Sequence, residues 1–216
     1  MKEFQEYNPT ARQLVSCLVS EYQWLNLLKN KEKGYEPILD YLINLGKEYE
    51  FEDSIFDWKK FQSKTIAENS GIKTSNLKKM LVNIYEDIFQ LNHKSPELFK
   101  NGEMYFYELC FTNDKYTCNF NLWLPVLLSP LDLFDFHFVE AKMNISYFWV
   151  EGIAHYREYG KTKTTADLKS GFPNKYRELL LSKADFMKEI SFDEKYNLSD
   201  YDLDKKLRKY AMRDKL

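Results

Sequence analysis

Glycine, proline and cysteine are all scarce in this sequence. The 216 residues include seven glycines, six prolines and three cysteines, a composition that excludes collagen-like, low-complexity and disulfide-rich chains. The cysteines, Cys17, Cys110 and Cys118, are odd in number and are not grouped as metal ligands. We therefore expect reduced thiols, a cytoplasmic location, and neither a bound metal nor another cofactor.

Long hydrophobic runs are missing as well. The longest dense apolar stretch, from Leu122 to Leu128, is interrupted by Pro125 and is far too short to span a bilayer. The first residues, MKEFQEYNPTARQ, have no apolar run after the initial lysine, so they lack the pattern of a secretory signal. The sequence predicts no association with a membrane.

Neither sign of charge dominates, because the formal net charge is −2. Any contact with nucleic acid must therefore come from a local basic patch. Apolar side chains, in contrast, are abundant: 44% of the residues are hydrophobic and 17% are aromatic. This is enough to bury a core, and the length suits one sizeable domain or two small ones.

The first hundred residues have the 3.6-residue periodicity of helices. We expect one helix with Asn8 as its N-cap and Pro9 at its first position, which stops at Gly34. A second helix is expected to follow Pro37 and to end at Gly46. The sequence therefore predicts a helical domain over residues 1–102.

At Met104 the period changes to two, which is typical of strands. Residues 104–122 predict a β-hairpin that turns at residues 113–115, and further strands fit residues 133–142, 146–158 and 162–168, with a bulge at Gly152. These strands predict a small antiparallel sheet or half-open barrel over residues 103–172. A helical tail over residues 173–216 follows, with Ser199 and Asp202 as a capping pair. The predicted fold class is α+β.

The segment SKTIAENSGIKTSNLKKMLVN, residues 63–83, has the features of a sharply bent helical pair. Ala67 is a small residue where the first helix would meet the second, and Gly71 stands where the turn requires positive φ. Thr74 or Ser75 is expected to cap the second helix. Apolar residues stand before, within and after the turn, at Ile66, Ile72, Leu77 and Met80. In these residues and their spacing the segment resembles the helix-turn-helix superfamily.

The resemblance implies that exposed residues near the start of the second helix read DNA. The DNA-binding residues that it implies, together with the nearby lysines, are Lys59, Lys64, Lys73, Thr74, Ser75, Asn76, Lys78, Lys79 and Asn83. Glu68 is the only acid between Lys59 and Lys79, so positive charge is concentrated here. The same lysines would also suit the solvated face of an ordinary helical pair, and the second helix turns acidic at residues 86–87.

Lys161 and Lys163 belong to a second basic stretch, residues 156–177. The tight turn of this stretch offers a second phosphate contact. The alternative is an exposed hairpin in which lysines protect a sheet edge from aggregation.

An enzymatic alternative depends on residues 132–142. A strand that ends in Glu140-x-Lys142 and is preceded by Asp132 or Asp135 resembles the PD-(D/E)xK nuclease signature, in which two carboxylates hold Mg²⁺. An edge strand with alternating charge explains the same residues. The histidines, His93, His137 and His155, do not have the spacing of a metal site. We therefore do not expect an enzyme.

The preferred interpretation is a non-catalytic DNA-binding protein, either a transcriptional regulator or an accessory factor of a mobile element. It would bind double-stranded DNA as a homodimer. The alternative is a protein–protein interaction or assembly module in which the helical pair is only a scaffold. DNA binding requires the lysines around the turn to be exposed, whereas a scaffold would pack residues 76–83 against the first helix.

Overall fold

The computed structural model of the protein describes residues 7–29, 33–51, 58–102, 104–158 and 160–213. The chain divides into two compact units, residues 1–172 and residues 173–216. The first unit combines helices with one five-stranded sheet that curls into a half-barrel, and the second unit is helical. The predicted α+β class is confirmed.

Five α-helices precede the sheet in the described part of the first unit. They are α1 (Ala11–Ser20), α2 (Tyr22–Leu25), α3 (Glu36–Phe51), α4 (Ser63–Asn69) and α5 (Thr74–Lys94). The expected cap at Asn8 is wrong. Thr10 caps α1 instead, because its hydroxyl accepts a hydrogen bond from the Gln13 amide while the Gln13 side chain bonds back to the Thr10 amide.

The second helix does not end at Gly46, as the sequence had suggested. Instead α3 continues through this glycine to Phe51. The ring of Tyr22 packs directly on Gly46, so a Cβ atom at this position would come within 2.4 Å of the tyrosine side chain. Gly46 therefore does not mark the end of a helix. A glycine stands there because α2 approaches α3 too closely for a larger residue.

The sheet consists of β1 (Tyr105–Thr112), β2 (Thr117–Leu124), β3 (Leu133–Asp135), β4 (Tyr147–Glu158) and β5 (Lys161–Ser170). The short helix α6 (Glu140–Met143) lies between β3 and β4 in the chain. The spatial order of the strands is β2-β1-β5-β4-β3. Every neighbouring pair is antiparallel except β1 and β5, which run parallel. The sheet thus joins two antiparallel groups through a parallel pair, a feature that residue alternation within single strands cannot reveal.

The predicted hairpin is confirmed, and its turn spans four residues. The Asn113 side chain accepts hydrogen bonds from the Lys115 and Tyr116 amides at 2.8 and 2.7 Å, which closes the turn. Cys118 therefore faces Phe111, while Cys110 faces Asn119, so the two thiols lie on opposite faces of the sheet.

All three cysteines are free. Burial raises the pKa of Cys17 and of Cys118 to about 12, so both thiols stay protonated and unreactive at neutral pH.

The predicted bulge at Gly152 is also confirmed, because the register between β4 and β5 shifts there.

Helices and sheet share one hydrophobic core, and a cluster of aromatic rings joins them within it. The ring of Trp24 in α2 stacks on that of Phe120 in β2, with 5.3 Å between the ring centres. It also meets the ring of Phe138 edge-on, with 5.1 Å between the ring centres. Phe89 of α5 contacts the same two phenylalanine rings at 5.1 and 5.5 Å. The helices before residue 102 and the strands after residue 103 are therefore packed into one body.

A buried asparagine joins α5 to the edge of the sheet. Asn92 is fully buried, and its amide donates to the Asn121 carbonyl and accepts from the Asn121 amide, both at 2.8 Å. Because β2 is an edge strand, these backbone groups have no strand partner on that side. The side chain of Asn92 satisfies them and prevents another strand from pairing there.

The second unit contains α7 (Lys175–Phe186), α8 (Phe192–Asn197) and α9 (Asp200–Arg213), around a small core of Ala184, Ile190, Leu203, Leu207 and Tyr210. The predicted capping pair is confirmed, because the Ser199 hydroxyl accepts from the Asp202 amide and donates to its carboxylate. Within the described ranges, none of the helices combines the length and hydrophobicity that a bilayer-spanning segment requires.

Replacing Asn92 by alanine is expected to lower the free energy of unfolding by about 2–4 kcal/mol, because the edge groups of Asn121 lose their partners inside the protein. Urea denaturation followed by circular dichroism measures this loss. The control is Gln90→Ala, since Gln90 is an exposed amide on the same helix. Equal stability of the two variants would contradict the role given to Asn92.

Candidate nucleic-acid interface

The corner between α4 and α5 is built around Gly71, whose φ of +64° confirms the predicted turn conformation. The Ile72 amide donates to the Ala67 carbonyl at 2.9 Å, and the Gly71 amide donates to the Glu68 carbonyl at 3.4 Å. These two bonds form a Schellman motif, which ends α4 and turns the chain toward α5.

The inner side of the corner is apolar. Ile66, Ala67 and Leu77 are buried, while Ile72 and Met80 are partly buried and pack against the same core. The sequence predicts Ile66, Ile72, Leu77 and Met80 as the apolar residues around the turn, and Ala67 as the small residue where the two helices meet. The corner is therefore held by the core of the first unit and does not stand apart from it.

The expected cap of the second helix is wrong. The N-cap residue of α5 is Lys73, which makes no side-chain capping bond, and Thr74 and Ser75 are the first two residues of the helix. Both hydroxyl side chains are exposed. The positive end of the helix dipole therefore lies next to exposed hydroxyl groups and a lysine.

The predicted DNA-binding residues of the corner are all exposed: Lys59, Lys64, Lys73, Thr74, Ser75, Asn76, Lys78, Lys79 and Asn83. On α5 the buried residues occupy the opposite side of the helix, where Leu77, Leu81, Ile84, Tyr85 and Ile88 face the core. Asn76, Lys79 and Asn83 follow one another at spacings of three and four, so they form a single outward stripe. Asn76, Lys79 and Asn83 thus face away from the core, whereas Leu77 and Leu81 between them are buried.

Lys78 does not belong to that stripe, because consecutive helical residues are about 100° apart. Its ammonium group donates to the side-chain carbonyl of Asn8 at 2.8 Å. Asn8 was expected to cap a helix, but in the structure its side chain positions this lysine instead. An amide partner leaves the positive charge of the lysine uncompensated.

The charge around the corner is strongly asymmetric. Residues 59–79 contain six lysines and one glutamate, an excess of five positive charges in a chain whose net charge is −2. Lys60 forms a salt bridge with Glu48 at 2.6 Å, and Lys64 lies 3.9 Å from Glu68 in a largely exposed pair. Exposed pairs of this kind are weak, so phosphate groups can compete with them.

Further along α5 the surface becomes electrically neutral. A groove of about 680 Å³ lies beside the helix, and its lining includes Lys79, Asn83 and Asp87. Lys33 pairs with Asp87 at 2.7 Å, and this bond raises the pKa of the lysine. Glu86 pairs with Lys142 at 2.6 Å. Along α5, the excess of positive charge therefore ends after the first turns of the helix.

The second basic stretch is engaged within the sheet. The ammonium group of Lys163 lies 3.5 Å from the Glu108 carboxylate and 5.9 Å from the ring centre of Tyr156. The side chain of Lys161 lies outside the described residues, although its backbone begins β5. The structure thus places Lys163 beside an acidic partner on the neighbouring strand β1.

The strand expected to carry Glu140 and Lys142 ends earlier, at Asp135, so that expectation is wrong. Both residues belong to the one-turn helix α6 (Glu140–Met143), where positions two apart point to different sides. Lys142 pairs with Glu86 and lies over the ring of Phe89 at 4.7 Å. In the part of the chain that the structure describes, no group of three His, Cys, Asp or Glu residues could hold a metal ion.

Replacing Gly71 by valine is expected to destabilise the protein by about 1–2 kcal/mol, because a β-branched residue resists positive φ. A Cβ atom at this position would meet no other atom within 4 Å, so the loss comes from the backbone conformation and not from a collision. Gly71→Asn, which tolerates the left-handed region, should be closer to the wild type in thermal unfolding. Equal losses in both variants would rule out this explanation.

The corner combines the outward stripe of Asn76, Lys79 and Asn83, the N-terminus of α5 and an excess of positive charge within residues 59–79. This combination is suited to polyanion binding. No protein-family model, curated protein or solved structure matches the chain.

Proposed function

We propose that this protein is a non-catalytic DNA-binding protein, either a transcriptional regulator or an accessory factor of a mobile element. It would contact double-stranded DNA with the first turns of α5 and the surrounding lysines. The observation that supports this proposal most directly is that all nine predicted DNA-binding residues of the corner are exposed.

Phosphate binding would come from the start of α5. Lys73 stands at its N-cap, and the hydroxyls of Thr74 and Ser75 are exposed beside it. The free amide groups and dipole of a helix N-terminus attract phosphate, and lysine adds a full charge. Lys59 and Lys64 are exposed on the preceding segment and extend the same attraction.

Base contacts would come from the outward stripe. Asn76 and Asn83 carry amides of the kind that bind adenine through two hydrogen bonds, and Lys79 between them can donate to guanine. Residues 74–83 extend for about 15 Å along the helix axis, a length that fits within a major groove. Glu86 and Asp87 mark the end of this footprint, because their salt bridges with Lys142 and Lys33 leave no excess of positive charge there.

A titration with duplex DNA tests the proposal. The variant Lys73→Gln with Lys79→Gln should weaken binding. The magnitude of the slope of log affinity against log salt should decrease by about 1, because Lys73 is the proposed phosphate contact of the pair and each neutralised phosphate contributes about 0.9. Fluorescence anisotropy of a labelled duplex at several salt concentrations measures both quantities.

The matched control for this titration is Lys94→Gln with Lys115→Gln, which removes the same charge from exposed positions away from the corner. It should retain most of the affinity and the wild-type slope. Equal weakening in the two double variants would show that only net charge matters. Absence of binding at low salt would overturn the proposal.

A second candidate function, protein–protein assembly, is favoured by the surface of the second unit. Phe186, Phe192 and Tyr201 are 85%, 75% and 77% exposed, although the unit has only a small core. Further large apolar side chains are exposed on the same unit, at Tyr176, Leu179, Met187, Tyr196 and Met212. Such a concentration of exposed apolar residues is typical of an interaction surface. We propose a second copy of the chain as the partner.

Replacing both Phe186 and Phe192 by aspartate is expected to convert a dimer into a monomer, because two charges would enter an apolar interface. Sedimentation at increasing protein concentration measures the oligomeric state. Val126→Asp with Leu127→Asp, at exposed apolar positions of the first unit, should leave the dimer intact. A wild-type protein that stays monomeric throughout would contradict self-association but not DNA binding.

A further inference from the structure

A pocket of about 550 Å³ opens in the first unit, where the end of α1 and the start of α2 meet α3. Its lining includes Val19, Glu21, Tyr22, Tyr49, Phe61 and His137. The residues of the DNA-binding proposal do not contribute to it. The pocket is large enough for a small organic molecule.

Glu21 lies at the break between α1 and α2. Its backbone is not helical, with φ of −123° and ψ of 40°, so the chain changes direction at this residue. Gly46 allows the ring of Tyr22 to settle on α3 without a collision. The break thus brings a carboxylate to the wall of a pocket that is otherwise rich in aromatic side chains.

The carboxylate of Glu21 has no compensating partner among the described residues. It accepts no hydrogen bond and forms no salt bridge with them, although the side chain is half-buried. Burial raises the pKa of Glu21 to about 7, since the charged form loses its hydration. A bound cation would remove this penalty.

The rest of the pocket favours a cation over an anion. No lysine or arginine belongs to its described lining. The imidazole of His137, which lines the pocket, lies 3.8 Å from the Asp135 carboxylate and 3.5 Å from the Glu140 carboxylate. Further acidic groups therefore lie close to the lining of the pocket. The lining also contains the aromatic side chains of Tyr22, Tyr49 and Phe61, and aromatic rings attract organic cations.

We propose that this pocket binds an organic ammonium ion, with the ammonium group at the Glu21 carboxylate and the apolar body between the aromatic side chains. An inorganic cation would pair with the carboxylate alone, whereas a neutral apolar molecule would leave the carboxylate desolvated. An organic ammonium ion satisfies both parts of the pocket.

The test compares phenethylammonium with 2-phenylethanol, which has the same aromatic body and no charge. Isothermal titration calorimetry should give an affinity for phenethylammonium at least about tenfold higher than for the alcohol, since the charged pair is partly desolvated. Equal affinities for the two compounds would overturn the proposal, as would no binding of the ammonium compound at about 10 mM.

Two variants locate the binding in the pocket. Glu21→Gln should lower the affinity for phenethylammonium about tenfold, and Tyr49→Leu about fivefold through loss of a ring face. Glu36→Gln, at an exposed glutamate in the first turn of α3, should bind like the wild type. Because Glu21→Gln removes a desolvated charge, we expect it to fold. Wild-type affinity in that variant would overturn the proposal.

Discussion

The packing of α5 against the aromatic cluster around Trp24 determines which of its residues face outward. Phe89 contacts Phe120 and Phe138, and Asn92 bonds to the edge of the sheet, so the helix cannot rotate without breaking both contacts. Its polar stripe is therefore presented in one orientation. A surface that is fixed in this way avoids the entropy loss of ordering a flexible segment when it binds a partner.

The surroundings of each lysine decide whether its charge is available. Lys78 is held by an amide, which orients the ammonium group without neutralising it. Lys142 and Lys163 instead lie next to carboxylates, those of Glu86 and Glu108. Lys78 therefore differs from Lys142 and Lys163 in the charge of its partner, although the residue type is the same.

The break at Glu21 shows how secondary structure produces a site for chemistry. Had α1 continued without interruption, Glu21 would have stayed within a regular helix; the break turns it toward a pocket. The aromatic side chains of that pocket come from positions far apart in the sequence, on α2, on α3 and at residue 61. Their assembly depends on Gly46, which allows two helices to approach closely.

What the sequence determined by itself is local: the turn at Gly71, the hairpin from β1 to β2, the bulge at Gly152 and the cap at Ser199. Each depends on the backbone preferences of a few consecutive residues. The tertiary structure alone decided that Gly46 lies inside a helix, that β1 and β5 are parallel, that Asn8 holds Lys78, and that Glu21 lines a pocket. These features join residues distant in the sequence, and only the packing of the core brings such residues together.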